Sequence, residues 1–219
     1  MKLYRNFFKR FFDIIIGLFG TIIFLISYIF IAPIILITDG RPVLFKSERR
    51  GKRDKVFKMY KYRTMYVNAP DIRNADNSTF NGKNDPRVTK IGRILRETSL
   101  DEIPQFVNLL KGDMSFIGPR PSVPSMPYDE IPEYEKKKLE VKSGITGYTQ
   151  AYHRNNITRE DRFKMDIYYA ENVSFMLDMK ILFKTVSRIF SRKGVYIDEK
   201  KAQETVQNTT VDTTTENNQ

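Results

Sequence analysis

The chain contains no cysteine and a single histidine, His153. The first absence excludes disulfides and thiolate metal sites. The second excludes any multi-histidine zinc site. A Ser-His-Asp hydrolase would have to route through His153, and no Gly-x-Ser-x-Gly elbow is present. Chemistry is therefore left to carboxylates, arginines, lysines and hydroxyls. Acidic charge is also in deficit: 26 Asp and Glu stand against 37 Lys and Arg, a formal net charge of +11. That balance favours anionic partners, whether nucleic acid, anionic lipid or a phosphorylated substrate. No internal repeat is present. The 219 residues suffice for one domain plus a membrane segment.

Residues 14–37 are almost continuously apolar. As a straight helix they would measure about 36 Å, enough to cross a hydrocarbon core. The run is too long for a signal peptide, and no small-x-small cleavage site closes it. Basic residues lie on both flanks: Lys2, Arg5, Lys9 and Arg10 before it, and Arg41, Lys46, Arg49, Arg50, Lys52 and Arg53 after it. A spanning helix should carry its basic excess on one side. Pro33, an interior proline, offers a kink, and Ser27 and Tyr28 could serve freed carbonyls. A re-entrant hairpin bending near Pro33 is preferred on this ground, with a plain spanning anchor as the alternative. Asp13 reads as a helix-start carboxylate, or as an interfacial partner of Lys9 or Arg10.

Further along, residues 43–45 form a short strand candidate. Residues 56–62 alternate apolar and basic, like a half-buried strand with a cationic outer face. Lys52-Arg53-Asp54 is the expected turn between them. The basic-aromatic interleaving suits nucleic acid or a surface against anionic headgroups. Residues 69–90 read as loop. Helices are expected from residue 91, over 100–110 with Gly112 as C-cap, over 127–141, from Thr158 to about residue 171, and over 175–190. The last is amphipathic, suited to the core or to a membrane interface. Residues 143–147 read as a tight glycine-containing turn. Residues 201–219 are polar and Thr/Asn-rich, and are expected to be disordered.

The densest stretch is residues 96–121, RETSLDEIPQFVNLLKGDMSFIGPRP. Asp101 and Glu102 are adjacent carboxylates at a helix start. Ser99 with Glu102, or Thr98 with Asp101, fits a capping box, and capping alone would explain both acids. The alternative is chemical. A carboxylate can attack phosphorus and form an acyl-phosphate, and a helix N-terminus would keep it ionised. A carboxylate and a diphosphate repel, so a divalent cation and arginines must neutralise them. Arg87, Arg93, Arg96 and Arg120 are near in sequence. Arg120 lies between Pro119 and Pro121, whose fixed backbones suit a bidentate phosphate clamp or simply a stiff turn.

The motifs occur in a specific order: residues 9–13 (KRFFD), 57–65 (FKMYKYRTM), 99–102 (SLDE), 111–121 (KGDMSFIGPRP), 144–147 (GITG) and 166–169 (DIYY). This ordered set, over roughly residues 9–191, resembles the small monotopic phosphoglycosyl transferases, the bacterial sugar transferases that load a polyprenyl phosphate carrier. Single motifs are weak; the set is highly specific. The chain departs from that pattern at Ser143, where proline is usual, at Ser47 (often Gln), at Arg50 (often Pro) and at Ala32, where Ser often precedes the membrane-break proline.

The resemblance implies an α+β, mostly helical fold. It would comprise an N-terminal re-entrant membrane helix hairpin (1–40), a small cytosolic catalytic domain with a short β-hairpin and interfacial amphipathic helices (41–200), and the tail (201–219). It implies attack by Asp101 on the β-phosphate of a UDP-sugar, release of UMP, and transfer of the phosphosugar to polyprenyl phosphate. Magnesium would sit by Asp101 and the diphosphate. Glu102 would support the metal or assist proton transfer. Arg96, Pro119, Arg120 and Pro121 would bind substrate, with Arg154 a further candidate. The partners implied are a UDP-sugar, polyprenyl phosphate and membrane lipid, with no nucleic acid; a homo-oligomer is compatible. The place implied is the cytosolic face of the bacterial inner membrane.

Overall fold

A computed structural model describes residues 3–72, 82, 84–153 and 157–191. The polar tail therefore lies outside the described residues, as does Arg154.

A π-helical turn at Tyr4–Phe8 leads into α1 (Lys9–Asp39), a single helix of 31 residues. The expected hairpin bend at Pro33 is not observed. The helix runs through Pro33, and no second limb of it returns among the described residues. Proline fixes φ near the helical value, so the loss of one backbone bond need not end a long helix. The hydroxyls of Ser27 and Thr38 are turned to other partners than the carbonyl that Pro33 leaves open. Ser27 bonds to Phe24 O at 2.9 Å and to the Tyr62 hydroxyl at 2.8 Å, and Thr38 bonds to Ile34 O at 2.9 Å. By length and composition the helix is able to cross a membrane. Its buried positions, Asp13, Gly17, Gly20, Ala32 and Ile35, form one stripe, while large apolar residues such as Leu18, Phe19, Ile26 and Phe30 are exposed.

The chain then forms a hairpin of β1 (Leu44–Arg50) and β2 (Val56–Tyr62), antiparallel, in a register from Leu44↔Tyr62 to Arg50↔Val56. The turn at Lys52–Asp54 places Arg53 and Asp54 at positive φ. After α2 (Lys90–Glu97), capped by Thr89 accepting from Gly92 N, a 3-10 turn at Leu100–Glu102 precedes α3 (Gln105–Lys111). The expected continuous helix over 100–110 is thus two pieces. Gly112, at φ 87°, closes α3 as anticipated. Asn108, fully buried, fastens α3 to β2: its side chain accepts from Tyr60 N and donates to Lys58 O. Gly20 is what lets α1 approach α3, since a Cβ there would lie 2.1 Å from the Phe106 ring.

Residues 143–147 are not a tight turn. β3 (Ser115–Ile117) pairs in parallel with β4 (Gly144–Thr146). The backbones at Gly118 and Gly144 approach so closely that a Cβ on Gly144 would sit 2.1 Å from Gly118 N. Within residues 127–141 the regular structure is limited to α4 (Glu133–Lys136) and a 3-10 turn at Lys137–Glu140. α5 (Tyr148–Tyr152), α6 (Arg159–Glu171) and α7 (Phe175–Ser191) follow. Thr158 caps α6 as expected, accepting from Asp161 N at 3.1 Å. α7 buries Asp178 and Ile181 and exposes Phe175, Met176, Phe183 and Val186.

Three buried aspartates bind these parts together. Asp178 receives Lys9 Nζ at 2.6 Å and the hydroxyls of Tyr4 and Tyr169, each at 2.7 Å. Asp13 accepts from Ser115 Oγ at 3.0 Å and Phe116 N at 2.8 Å, so it docks α1 onto β3 rather than pairing with Lys9 or Arg10. Arg10 instead donates to the carbonyls of Leu109 and Leu110 at the end of α3. Asp166 accepts from Thr149 and faces Lys138 at 3.6 Å.

Candidate active site

The capping explanation of Asp101 and Glu102 fails on the backbone. Ser99 has φ 58°, a left-handed conformation incompatible with an N-cap, and its side chain makes no cap bond. Thr98 turns its hydroxyl back to Ile94 O (2.7 Å) and Leu95 O (3.2 Å). The acids sit on a three-residue 3-10 turn, so no long helix dipole acts on Asp101 as the sequence had led one to expect.

What faces the acids is Lys61. Its ammonium lies 2.5 Å from Glu102 Oε1 and 3.5 Å from Asp101 Oδ2. Lys61 does not belong to the solvent-facing cationic row predicted for β2. Lys55 and Lys58 are exposed, whereas Lys61 is half-buried and points at the carboxylates. The alternation of β2 puts it on the face shared with Phe57 and Met59, which was a readable signal.

The two carboxyls are pushed in opposite directions. Asp101 is 8% exposed, and burial raises it above the usual aspartate range; Lys61 and Arg96 oppose this and Glu102 adds to it. Burial also pushes Glu102 up. There, Lys61, with smaller help from Arg120 and Gln105, outweighs burial and leaves it below the usual range. Paired acids driven apart in this way are the pattern that assigns different roles to like groups.

Arg96 reaches the site from α2, with Nε donating to Thr64 Oγ1 at 2.9 Å. Arg120 is exposed on a turn whose ends are both fixed. Gly118 N donates to Thr146 O and Gly144 N to Pro119 O, each at 2.9 Å, and Arg50 N donates to Ser122 O at 2.8 Å. The motif at 144–147 therefore props up the Pro-Arg-Pro turn. Structure thus brings Asp101, Glu102, Arg96 and Arg120 into one region, with Lys61 added. Two other arginines are spent on architecture. Arg87 makes a buried two-pronged pair with Asp85 (2.9 and 2.8 Å), and Arg63 donates to Asp39 O and Arg41 O at the end of α1. Asp166 and Tyr169 of the last motif are likewise packing residues.

Among the described residues no group of three or more acids and histidines gathers to hold a metal. Magnesium commonly takes one or two carboxylates and completes its shell with water and substrate phosphates. Adjacent Asp101 and Glu102 fit that shared kind of site and not an all-protein cage.

The model of the bacterial sugar transferase family matches residues 4–192. The chain belongs to this family and is a transferase. It is 38% identical over 190 residues to the uncharacterized sugar transferase EpsL of Bacillus subtilis, covering 85% of this chain and 89% of that protein. The exopolysaccharide production protein PSS of Rhizobium leguminosarum is 38% identical over 198 residues, 85% of this chain and 97% of that one. The undecaprenyl-phosphate galactose phosphotransferase of Salmonella typhimurium is 37% identical over 206 residues, 87% of this chain but 42% of its own length. The chain therefore spans less than half of some relatives and nearly all of others.

Proposed function

We propose that this chain transfers a sugar-1-phosphate from a UDP-sugar to polyprenyl phosphate by way of an aspartyl-phosphosugar. Relatives with a substrate in their names include an undecaprenyl-phosphate galactose phosphotransferase, a UDP-galactose-lipid carrier transferase and a galactosyl transferase. The observation that carries the reading is Asp101: a buried carboxyl with no capping role, set against a lysine and within reach of arginine charge.

In the first half-reaction an Asp101 oxygen attacks the β-phosphorus of the donor. The bond from that phosphorus to the bridging oxygen breaks, and UMP departs with the electron pair. In the second, a phosphate oxygen of the polyprenyl carrier attacks the same phosphorus. The acyl-phosphate bond breaks and the Asp101 carboxylate is restored. Glu102, whose carboxylate lies 2.5 Å from Lys61 Nζ, is assigned to hold positive charge, Lys61 and magnesium, beside the nucleophile. Bound magnesium would supply charge neutralisation on the diphosphate. Arg96 and Arg120 would orient phosphate oxygens.

The exposed apolar surface of α1 and the outward face of α7 support a membrane-embedded or membrane-lying chain, working at the cytosolic face of the bacterial inner membrane, where polyprenyl carriers are loaded. Mass spectrometry of detergent-solubilised protein incubated with UDP-sugars and magnesium, without acceptor, tests the proposal. A mass gain of one phosphosugar at Asp101 is expected, discharged by polyprenyl phosphate. UMP release with no protein adduct would overturn the covalent route.

A further inference from the structure

Arg49 is half-buried, and none of the hydrogen bonds and ion pairs among the described residues engages its guanidinium. Arginines withdrawn from water ordinarily find a carboxylate or carbonyls, as the buried Arg50, Arg63 and Arg87 do here. What acts on Arg49 instead is the charge of another guanidinium, that of Arg120. Arg50, its chain neighbour, forms an antiparallel bridge to Ser122, with Arg50 N donating to Ser122 O at 2.8 Å. That bridge ties the end of β1 to the residue just after the Pro-Arg-Pro turn, within reach of the Arg120 charge. Burial, and then the Arg120 charge, both pull Arg49 below the ordinary arginine value. The charge of Arg120 acts on Glu102 as well.

The face of the hairpin is consistent with this. Residues two apart on a strand share a face, and directly paired residues across an antiparallel ladder do too. Arg49 pairs with Phe57, Ser47 with Met59 and Phe45 with Lys61, so Arg49, Ser47 and Lys61 point to the same side. Ser47 Oγ is buried there and has no hydrogen-bond partner. The charges of Arg49 and Arg120 act on each other and are mutually repulsive. The arrangement is relieved by a dianion that both can hold by two-pronged bonds.

We infer that Arg49 and Arg120 together form a phosphate-monoester subsite next to the Asp101–Glu102 pair. Its ligand class is a phosphate monoester dianion, supplied either by the departing nucleoside monophosphate or by the polyprenyl phosphate. The inference rests on the proposed transfer for these two sources, but the binding site itself does not depend on covalent chemistry at Asp101.

The test uses the full chain in detergent: wild type, Arg49→Ala, Arg49→Lys, and Lys58→Ala as an exposed cation on the same hairpin. Calorimetric titration with UMP and, separately, a short-chain prenyl phosphate reads binding, and thermal melting checks the fold. Arg49→Ala is expected to weaken one monoester at least tenfold, Arg49→Lys to restore it partly, and Lys58→Ala to leave it unchanged, all with melting points near wild type. Weakened UMP identifies the donor side, and weakened prenyl phosphate the acceptor side. If Arg49→Ala does not fold, the same comparison is made on Arg49→Lys, whose loss of the two-pronged geometry should still weaken binding several-fold. Equal binding of both probes by wild type and the Arg49 variants, or no binding by wild type, overturns the subsite. Normal Arg49-dependent binding with no adduct at Asp101 would instead refute the covalent mechanism and leave the subsite standing.

Discussion

Asp178 and Asp101 are both buried aspartates beside a lysine, and the difference between them separates the two halves of the molecule. Asp178 has three donors at 2.6 to 2.7 Å, drawn from the start of α1, from the preceding π-helical turn and from α6. Its charge is fully answered, and it holds three elements together. Asp101 has its lysine at 3.5 Å, shared with a second acid that takes the closer contact. A structure that needed Asp101 for packing would satisfy it as it does Asp178. Leaving a buried carboxyl under-answered costs stability, and such sites are retained where chemistry requires them.

The comparison is broken most severely at Asp178. Asp178→Ala leaves the half-buried Lys9 without its counter-charge and the Tyr4 hydroxyl unpaired, while Tyr169 keeps only its longer bond to Ile117 O, a loss of about 3–5 kcal/mol. At about 2–4 °C per kcal/mol for a chain of this size, thermal melting should fall by roughly 6–20 °C. Next comes the seam between α1 and α3. Gly20→Ala forces the Phe106 ring to move and should cost about 1–3 kcal/mol, read as a lower denaturant midpoint with an unchanged slope. A smaller and more specific effect is expected from Lys61→Met. Lys61 gives the largest pull of Asp101 back toward the usual range. Without it Asp101 holds its proton to still higher pH, so the acid limb of adduct formation should move upward. An unmoved limb would mean that Lys61 does not act on the nucleophile. Glu102→Gln should give the smallest stability change. Because the Glu102 carboxyl is held below its usual range, its contribution is present at neutral pH and is lost as pH falls through the folded value. Its side chain is 38% exposed, so solvent screening keeps that contribution slight. The gap between variant and wild type should therefore narrow in acid, as equilibrium unfolding at two pH values would show.

Signals with a local cause were legible in the sequence. β2, the Gly112 and Thr158 caps, α7 and the apolar helix all follow from periodicity or from a single residue's backbone preference. Features with a distant cause were not. β1 runs through Lys46, Glu48, Arg49 and Arg50 because its backbone pairs with β2, whatever its side chains suggest. Residues 144–146 form a strand because β3 lies beside them, a partner 29 residues away at Ser115↔Gly144 and Ile117↔Thr146. The site divides in the same way. Asp101, Glu102, Arg96 and Arg120 were singled out through motif order. Lys61 and Arg49 were passed over because their placement depends on which face of the hairpin is turned inward. The capping box was a correct pattern defeated by one dihedral, φ of Ser99, which sequence does not encode locally.

The central claim is that Asp101 serves chemistry and not architecture, and Asp101→Asn tests it directly when melting and adduct formation are measured on the same preparation. Burial raises the folded-state value of Asp101, so the fold disfavours its ionised form. The resulting penalty sets in as pH rises through the ordinary aspartate range and is complete once pH has passed the folded-state value. Asparagine removes that penalty. The account predicts a melting temperature equal to or above that of wild type, with no phosphosugar adduct and no UMP release. A variant that melts well below wild type, as Asp178→Ala should, yet still releases UMP would contradict it.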